Sequence, residues 1–333
     1  MFVRNDFSLK AFNTFGLDVR AKVFAEYDNV EQLKELLERF RAHKLLHIGR
    51  GSNLLFADDF DGVVLHSAIR FIEGEEQVSV GAGVEFDKFA GWAVENGLWG
   101  AENLSYIPGE VGASAVQNIG AYGVEVKDII ERVHTVEISS LEECVFDVSE
   151  CSYGYRESIF KTELAGQYIV TAVDFKLSKQ PRPKLDYGNI RQALQHITQP
   201  SLSDIRKAII DIRRLKLPEV SEMGSAGSFF KNPIISAEEF EQLQRVYPTV
   251  PNYVVIDDLS VAHYKIPAAW LIEQCGLKGK KVGGAQVYER QPLVIVNTGN
   301  ASAKDIISLA ELVQQSVRQR FNIVIQPEVN YIY

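Results

Sequence analysis

Position 228 places a serine between glycines and aromatics, in Gly224-Ser-Ala-Gly-Ser-Phe-Phe-Lys-Asn-Pro233. A hydroxyl so placed is accessible and lies beside flat apolar surface. No histidine neighbours it in the chain to activate it as a nucleophile, so proton donation suits it better. A plain turn serine is the competing reading. Arg156 closes Ser152-Tyr-Gly-Tyr-Arg156, where a guanidinium can stack on a ring or grip a carboxylate with two hydrogen bonds. Glu328 follows proline in Gln326-Pro-Glu-Val329 and is either fixed in a site or a solvated surface acid. Taken singly, each of the three is more often structural than catalytic.

Two loops carry a different chemistry. Residues 107–123 read Ile-Pro-Gly-Glu-Val-Gly-Ala-Ser-Ala-Val-Gln-Asn-Ile-Gly-Ala-Tyr-Gly, with Gly109, Gly112, Gly120 and Gly123 among small residues. Four glycines argue against a helix, and a strand would want β-branched and aromatic residues. Unobstructed backbone N–H groups make a cradle for phosphate oxygens; a tight core loop is the alternative. Gly49-Arg50-Gly51-Ser52-Asn53 is a second donor-rich turn. One phosphate needs one such loop, so two loops favour a dinucleotide.

Other sites are excluded. No Gly-x-Gly-x-x-Gly opens a helix, and no Walker sequence occurs. The six histidines show no paired zinc spacing. The net charge of −9 argues against a nucleic-acid binder. One basic cluster (Arg206, Lys207, Arg213, Arg214, Lys216) is either a solvated helix face or an anion contact. The longest apolar runs fall far short of the roughly 20 residues that span a bilayer. Three scattered cysteines read as reduced thiols, and the N-terminus lacks a signal-peptide core, so a cytoplasmic protein is expected.

These residues must be held by regular elements. Asp28 is expected to cap a helix whose Val30, Leu33, Leu36, Leu37 and Phe40 form one stripe. Strands are expected at 45–48, 62–66 and 77–80, and a helix over 86–96 closed by Gly97. The segments 132–138, 144–148 and 168–177 are β-rich. Ser203 is expected to cap the basic helix, and Ser236 with Glu239 forms a capping box. Pro267 opens another helix that Gly276 ends. A long amphipathic helix runs from about 302 to 321, followed by a short strand at 322–325. The fold class is mixed α+β.

The ordered set Arg50-Gly-Ser-Asn-Leu-Leu, Ile107-Pro-Gly with Gln117-Asn-Ile-Gly-Ala-Tyr-Gly123, Tyr155-Arg-Glu-Ser, Gly227-Ser-Phe-Phe-Lys-Asn-Pro233, Gly283-Gly-Ala-Gln286 and Pro327-Glu-Val resembles the UDP-N-acetylenolpyruvoylglucosamine reductases, type I. The resemblance runs from Asn13-Thr-Phe-Gly16 to Val329. It implies a two-part FAD-binding fold of the vanillyl-alcohol-oxidase (PCMH) type, formed by 1–66 with 322–333 and by 67–215. An α+β substrate domain over 216–321 would complete it. It implies non-covalent FAD held by Arg50, Gly51, Ser52, Asn53, Leu54, Pro108, Gly109, Gly112, Ala113, Ser114, Asn118, Gly120, Ala121 and Tyr122. NADPH is the implied co-substrate, and the implied substrate is the UDP-sugar enolpyruvyl ether. Arg156, Ser228 and Glu328 match its catalytic residues, Ser228 as the proton donor. Tyr122, Tyr187, Arg213, Lys216, Asn232, Tyr253, Lys265 and Gln286 match substrate contacts. A monomer needing no metal, nucleic acid or membrane is expected.

Two positions depart from the family's pattern. Glu110 stands where Ser or Thr is common, and Arg50 where glycine is common. A carboxylate cannot cheaply face a pyrophosphate, so Glu110 is expected to point away. The alternative reading is a flavin- or nucleotide-binding module without catalysis, which has no need of Arg156, Ser228 and Glu328.

Overall fold

The computed structural model describes residues 1–256 and 261–333. They cluster into two compact units: Met1–Phe12, Arg20–Gly51 and Asp59–Arg214 form one, and Asn13–Val19, Ser52–Asp58 and Leu215–Tyr333 form the other.

In the first unit a four-stranded sheet has the order Phe2–Ser8, Arg20–Tyr27, Phe60–Ser67, Leu45–Ile48. The first pair is antiparallel and the other two are parallel. The helix Val30–Arg39 makes the crossover and buries Leu33, Leu36 and Leu37. Its cap is Asn29, not the expected Asp28. Asn29 Oδ1 accepts the Gln32 N–H at 2.9 Å, while the Asp28 carboxylate accepts from the Asn29 side-chain amide. A second, antiparallel sheet runs Glu143–Asp147, Ile130–Glu137, Tyr168–Lys176, Gln77–Gly81, Ile72–Gly74. The helix Phe86–Glu95 and part of 98–133 complete a separate core around Phe86, Phe89 and Phe175. Gly97, at φ +71°, ends that helix as expected.

The helix Leu202–Lys216 buries Ile205, Ile209 and Ile212. Its start belongs to Ser201 rather than Ser203, because the Asp204 N–H donates to Ser201 Oγ. The basic cluster on this helix divides. Arg206 is fixed by two hydrogen bonds to Asp87 (2.7 and 3.0 Å), and Arg213 Nε donates to Tyr106 O at 3.1 Å.

The second unit holds the antiparallel sheet Gly224–Ser228, Val294–Asn297, Ala285–Val287, Lys281–Val282. The helix Ala303–Phe321 packs on it with Ile306, Leu309, Val313 and Val317 buried. A capping box of Ser302 and Asp305 opens this helix, and Asn322 in the left-handed region closes it. That reversal explains why 322–325 does not form the expected strand. The last strand is Asn330–Ile332, which pairs in parallel with Leu54–Phe56. Ile234–Ile235, Ala262–Lys265 and Tyr253–Ile256 make a small third sheet.

Candidate active site

Ser228 ends the strand Gly224–Ser228 and is exposed. The register against Val294–Asn297 shifts between Ser225 and Ser228, and Gly227 within the shift has φ +68°. Such a bulge re-aims the side chain that follows it. The chain then runs beside 326–328. The Glu328 N–H donates to Phe229 O at 2.8 Å, and the Lys231 N–H donates to Gln326 O at 2.9 Å. Phe230 bridges Pro327, and the rings of Phe229 and Phe230 are buried beneath. Ser228 and half-buried Glu328 therefore share one frame.

That frame is braced from sequence-distant residues of the same unit. Asn53 Nδ2 donates to Glu328 O at 3.0 Å, and the Asn330 N–H donates to Asn53 O at 3.0 Å. Asn53, expected at the cofactor, thus braces Glu328 through its backbone, and Leu54 starts the strand beside it. The motif Asn13-Thr-Phe-Gly16 braces the other side. The Ser225 N–H donates to Thr14 O, and Asn297 Nδ2 donates to Phe15 O, each at 2.9 Å. Gly224 is needed there, because a Cβ would fall 2.4 Å from Phe15 O.

Arg156 belongs to the first unit. Its φ is +59°, a strained setting for a residue with a Cβ. Its guanidinium donates to Gly120 O (2.7 Å) and Asn118 O (3.3 Å). The glycine-rich segment and Arg156 are therefore one construction. Asn118 is fully buried at φ +46°, and its amide donates to Gly154 O at 2.7 Å. Gly120 and Ala121 pair with Glu125 and Val124.

The segment 107–123 does contain a helix, Val111–Gln117, contrary to the reading that four glycines exclude one. Only Gly112 of the four lies inside it, and Ala113 and Ala115 favour the helix. The Val111 and Gly112 amides donate to Val84 O and Ala82 O, and Ser114 Oγ donates to Val111 O. Gly112 and Ser114 are thus spent on packing and internal bonds. What remains open is Ala113, the exposed residue of this helix. A Cβ on Gly49 would lie 3.3 Å from Ala113 Cβ and 3.1 Å from Glu110 Oε2, so the two donor-rich loops meet there. Gly51 (φ +67°) and Gly109 (φ +121°) need their glycines. Ser105 Oγ and Gln117 Nε2 are buried with no hydrogen-bond partner among the described residues. A thin cradle of small residues with unspent polar atoms fits a flat dinucleotide. Arg50 is exposed and 3.9 Å from Glu85, a weak surface pair. The Glu110 carboxylate is buried against His66.

Of the substrate candidates, Tyr122, Tyr187 and Arg213 gather in the first unit. Arg213 lies against the Tyr122 hydroxyl, and Tyr187 lies within 3.2 Å of the Cβ position of Gly123. Burial raises the Tyr122 pKa, with Arg213 pulling it back. In the second unit Tyr253 and Lys265 are direct cross-strand partners, the ammonium 5.9 Å from the ring centroid. Asn232 Oδ1 accepts the Ala268 N–H at 2.9 Å, opening the helix Ala268–Gln274. Gln286 Nε2 donates to Gly279 O at 3.3 Å. Lys216 ends its helix, half-buried. Ser52 is half-buried and Pro108 exposed in their loops.

Residues 21–140 match the family described as FAD binding domain, so this chain is a flavin-adenine-dinucleotide protein with an α+β fold. Residues 219–332 match the family described as UDP-N-acetylenolpyruvoylglucosamine reductase, C-terminal domain. The chain is 50% identical to the UDP-N-acetylenolpyruvoylglucosamine reductase of Bacteroides fragilis strain YCH46, over 98% of this chain and 99% of that one. It is 41% identical to the Flavobacterium johnsoniae protein of the same name, with both chains fully covered. A crystal structure of UDP-N-acetylenolpyruvylglucosamine reductase from Thermus caldophilus aligns over 100% of both chains at a TM-score of 0.71 and 26% identity. The chain belongs to the UDP-N-acetylenolpyruvoylglucosamine reductase family.

Proposed function

We propose that the chain reduces UDP-N-acetylglucosamine enolpyruvate to UDP-N-acetylmuramate in peptidoglycan precursor synthesis, using FAD and NADPH. FAD, when bound, supplies the relay of hydride from NADPH to the terminal carbon of the enolpyruvyl group. The double bond gains that hydride and one proton, and NADPH leaves as NADP⁺. A vinyl ether is electron-rich and resists hydride, so its carboxylate must be polarised to spread charge building on C2. Arg156 and Glu328 take that task, Glu328 sharing a proton with the charge it faces. Stabilising charge as it develops contributes about 3–4 kcal/mol per placed donor. Ser228 gives its proton to C2 and regains one from solvent, and Lys231 lowers the cost of the transient alkoxide.

The diphosphate of the cofactor is assigned to the segments 49–51 and 109–113, where Ala113 is open while the amides of Val111 and Gly112 are already engaged. Tyr122, Tyr187, Arg213, Lys216, Asn232, Tyr253, Lys265 and Gln286 are assigned to the sugar nucleotide, the cations answering its phosphates. The observation that carries the reading is the ladder joining 229–231 to 326–328, which ties a proton donor to a carboxylate on one rigid frame. The test is a visible spectrum and one assay. The purified protein shows flavin absorbance and consumes NADPH only when the enolpyruvyl sugar nucleotide is present. Absence of flavin with no such turnover defeats the proposal.

A further inference from the structure

His66 lies on the strand Phe60–Ser67, is 2% exposed, and has no part in the reaction above. Its Nδ1 is 2.8 Å from Glu26 Oε2, and its Nε2 is 3.1 Å from Glu110 Oε1. A neutral imidazole has one N–H, so its other nitrogen would turn a lone pair toward a carboxylate oxygen. With both carboxylates ionised, both contacts are attractive only when both nitrogens carry protons. Burial opposes that charge, but the hydrogen bonds and charges of Glu110 and then Glu26 outweigh it, raising the His66 pKa. The rings of Phe12 and Phe24 pack beside the imidazole. The other titratable neighbours are neutral. His47, pushed down to about 3 by burial and by the His66 charge, sits 2.8 Å from the Tyr27 hydroxyl, which burial raises.

Glu110 cannot turn away from this place. Its backbone bridges Glu85, while the Phe86 and Val111 amides donate to Gly109 O and Val84 O. Its second oxygen lies under the Gly49 turn, 3.1 Å from where a Cβ would be. A fixed carboxylate is thus built into the segments assigned to the cofactor diphosphate, where an uncompensated negative charge would repel it.

We propose that His66 is a positioning residue for the cofactor: as an imidazolium it pins Glu110 and cancels its charge, so that the segments 49–51 and 109–113 can hold a diphosphate. This rests on the FAD reading above. A merely structural His66 would matter through packing alone. A charge-compensating one loses its importance once Glu110 is made neutral, and its effect follows the proton.

The experiment is reconstitution of the apoprotein with FAD, followed by quenching of flavin fluorescence from pH 6 to 9. At pH 7, His66→Gln weakens FAD binding by about tenfold or more. Glu110→Gln binds FAD at least as tightly as the parent, and the double variant returns to within about threefold of the parent. Parent affinity falls toward alkaline pH as His66 loses its proton, whereas Glu110→Gln shows a flat profile. A His66→Gln protein with parental affinity, or a double variant as weak as His66→Gln, overturns the inference. Should His66→Gln fail to fold, Glu110→Gln decides: a tenfold loss of affinity, or an undiminished pH dependence, overturns it. A parent that binds no FAD sinks the cofactor reading and this inference together, while FAD held equally by parent and His66→Gln sinks the inference alone.

Discussion

Replacing Gly224 by alanine should destabilise the unit that carries Ser228, by an amount set by backbone rather than side-chain contacts. The added Cβ would lie 2.4 Å from Phe15 O, 2.7 Å from Phe15 C and 3.0 Å from Thr14 O. An ordinary carbon–oxygen contact is about 3.3 Å, so the two segments must part by about 0.9 Å. They cannot do so freely. The Ser225 N–H bond to Thr14 O and the Asn297 bond to Phe15 O, each 2.9 Å, hold them together. Overpacking of this kind costs about 1–3 kcal/mol, and losing one of the bonds adds about 1 kcal/mol. The sum, about 2–4 kcal/mol, corresponds to a fall in melting temperature of roughly 8–16 °C for a domain of this size. Gly97→Ala is the control. Its φ is +71° with nothing within 4 Å of the new Cβ, so it costs only left-handed strain of about 1 kcal/mol. Thermal unfolding of the two holoproteins separates them. A Gly224→Ala midpoint within about 2 °C of the parent would mean that the two segments part without this cost.

Three further outcomes are expected. Asn53→Ala removes the hydrogen bond to Glu328 O. It should lower kcat about 3–10-fold with flavin retained, since one such bond is worth roughly 1 kcal/mol; loss of flavin with normal kcat of the loaded protein would return Asn53 to the cofactor. Arg206→Met breaks the paired bonds to Asp87 and should cost about 1.5–3 kcal/mol in urea unfolding; a change under about 0.5 kcal/mol contradicts it. Glu102 is 3% exposed, and burial raises its carboxyl pKa although it accepts the Gly100 N–H. Its neutral form is therefore favoured by folding, and its contribution is lost as pH rises through the folded value. Glu102→Gln should stabilise the protein at pH 8, and the gain should vanish below about pH 4.3, the unfolded carboxyl value. An equal effect at both pH values would contradict this.

The sequence exposes its amphipathic elements well, because apolar spacing and caps are local. The helix Ala303–Phe321, the Ser236–Glu239 capping box and the strand Leu45–Ile48 were legible for that reason. Caps failed where two polar residues competed: Asn29 beat Asp28, and Ser201 beat Ser203. The glycine-rich run hid the helix Val111–Gln117 because glycine count ignores where the glycines fall. The motifs picked out Ser228, Glu328 and Arg156, but not what holds them. Asn53 to Glu328 spans 275 positions, and His66 to Glu110 spans 44, distances at which no periodicity speaks. The motif Asn13-Thr-Phe-Gly16 was visible as a string, yet its purpose as a brace for Gly224 and Ser225 appears only once the strands are paired.

Ser228 as the proton donor to the enolpyruvyl C2 can be checked by following the flavin of Ser228→Ala through the two half-reactions in stopped flow. Flavin reduction by NADPH should proceed at the parental rate, and reoxidation by the enolpyruvyl sugar nucleotide should be slowed by roughly 10²–10⁴. Reoxidation at the parental rate would contradict it.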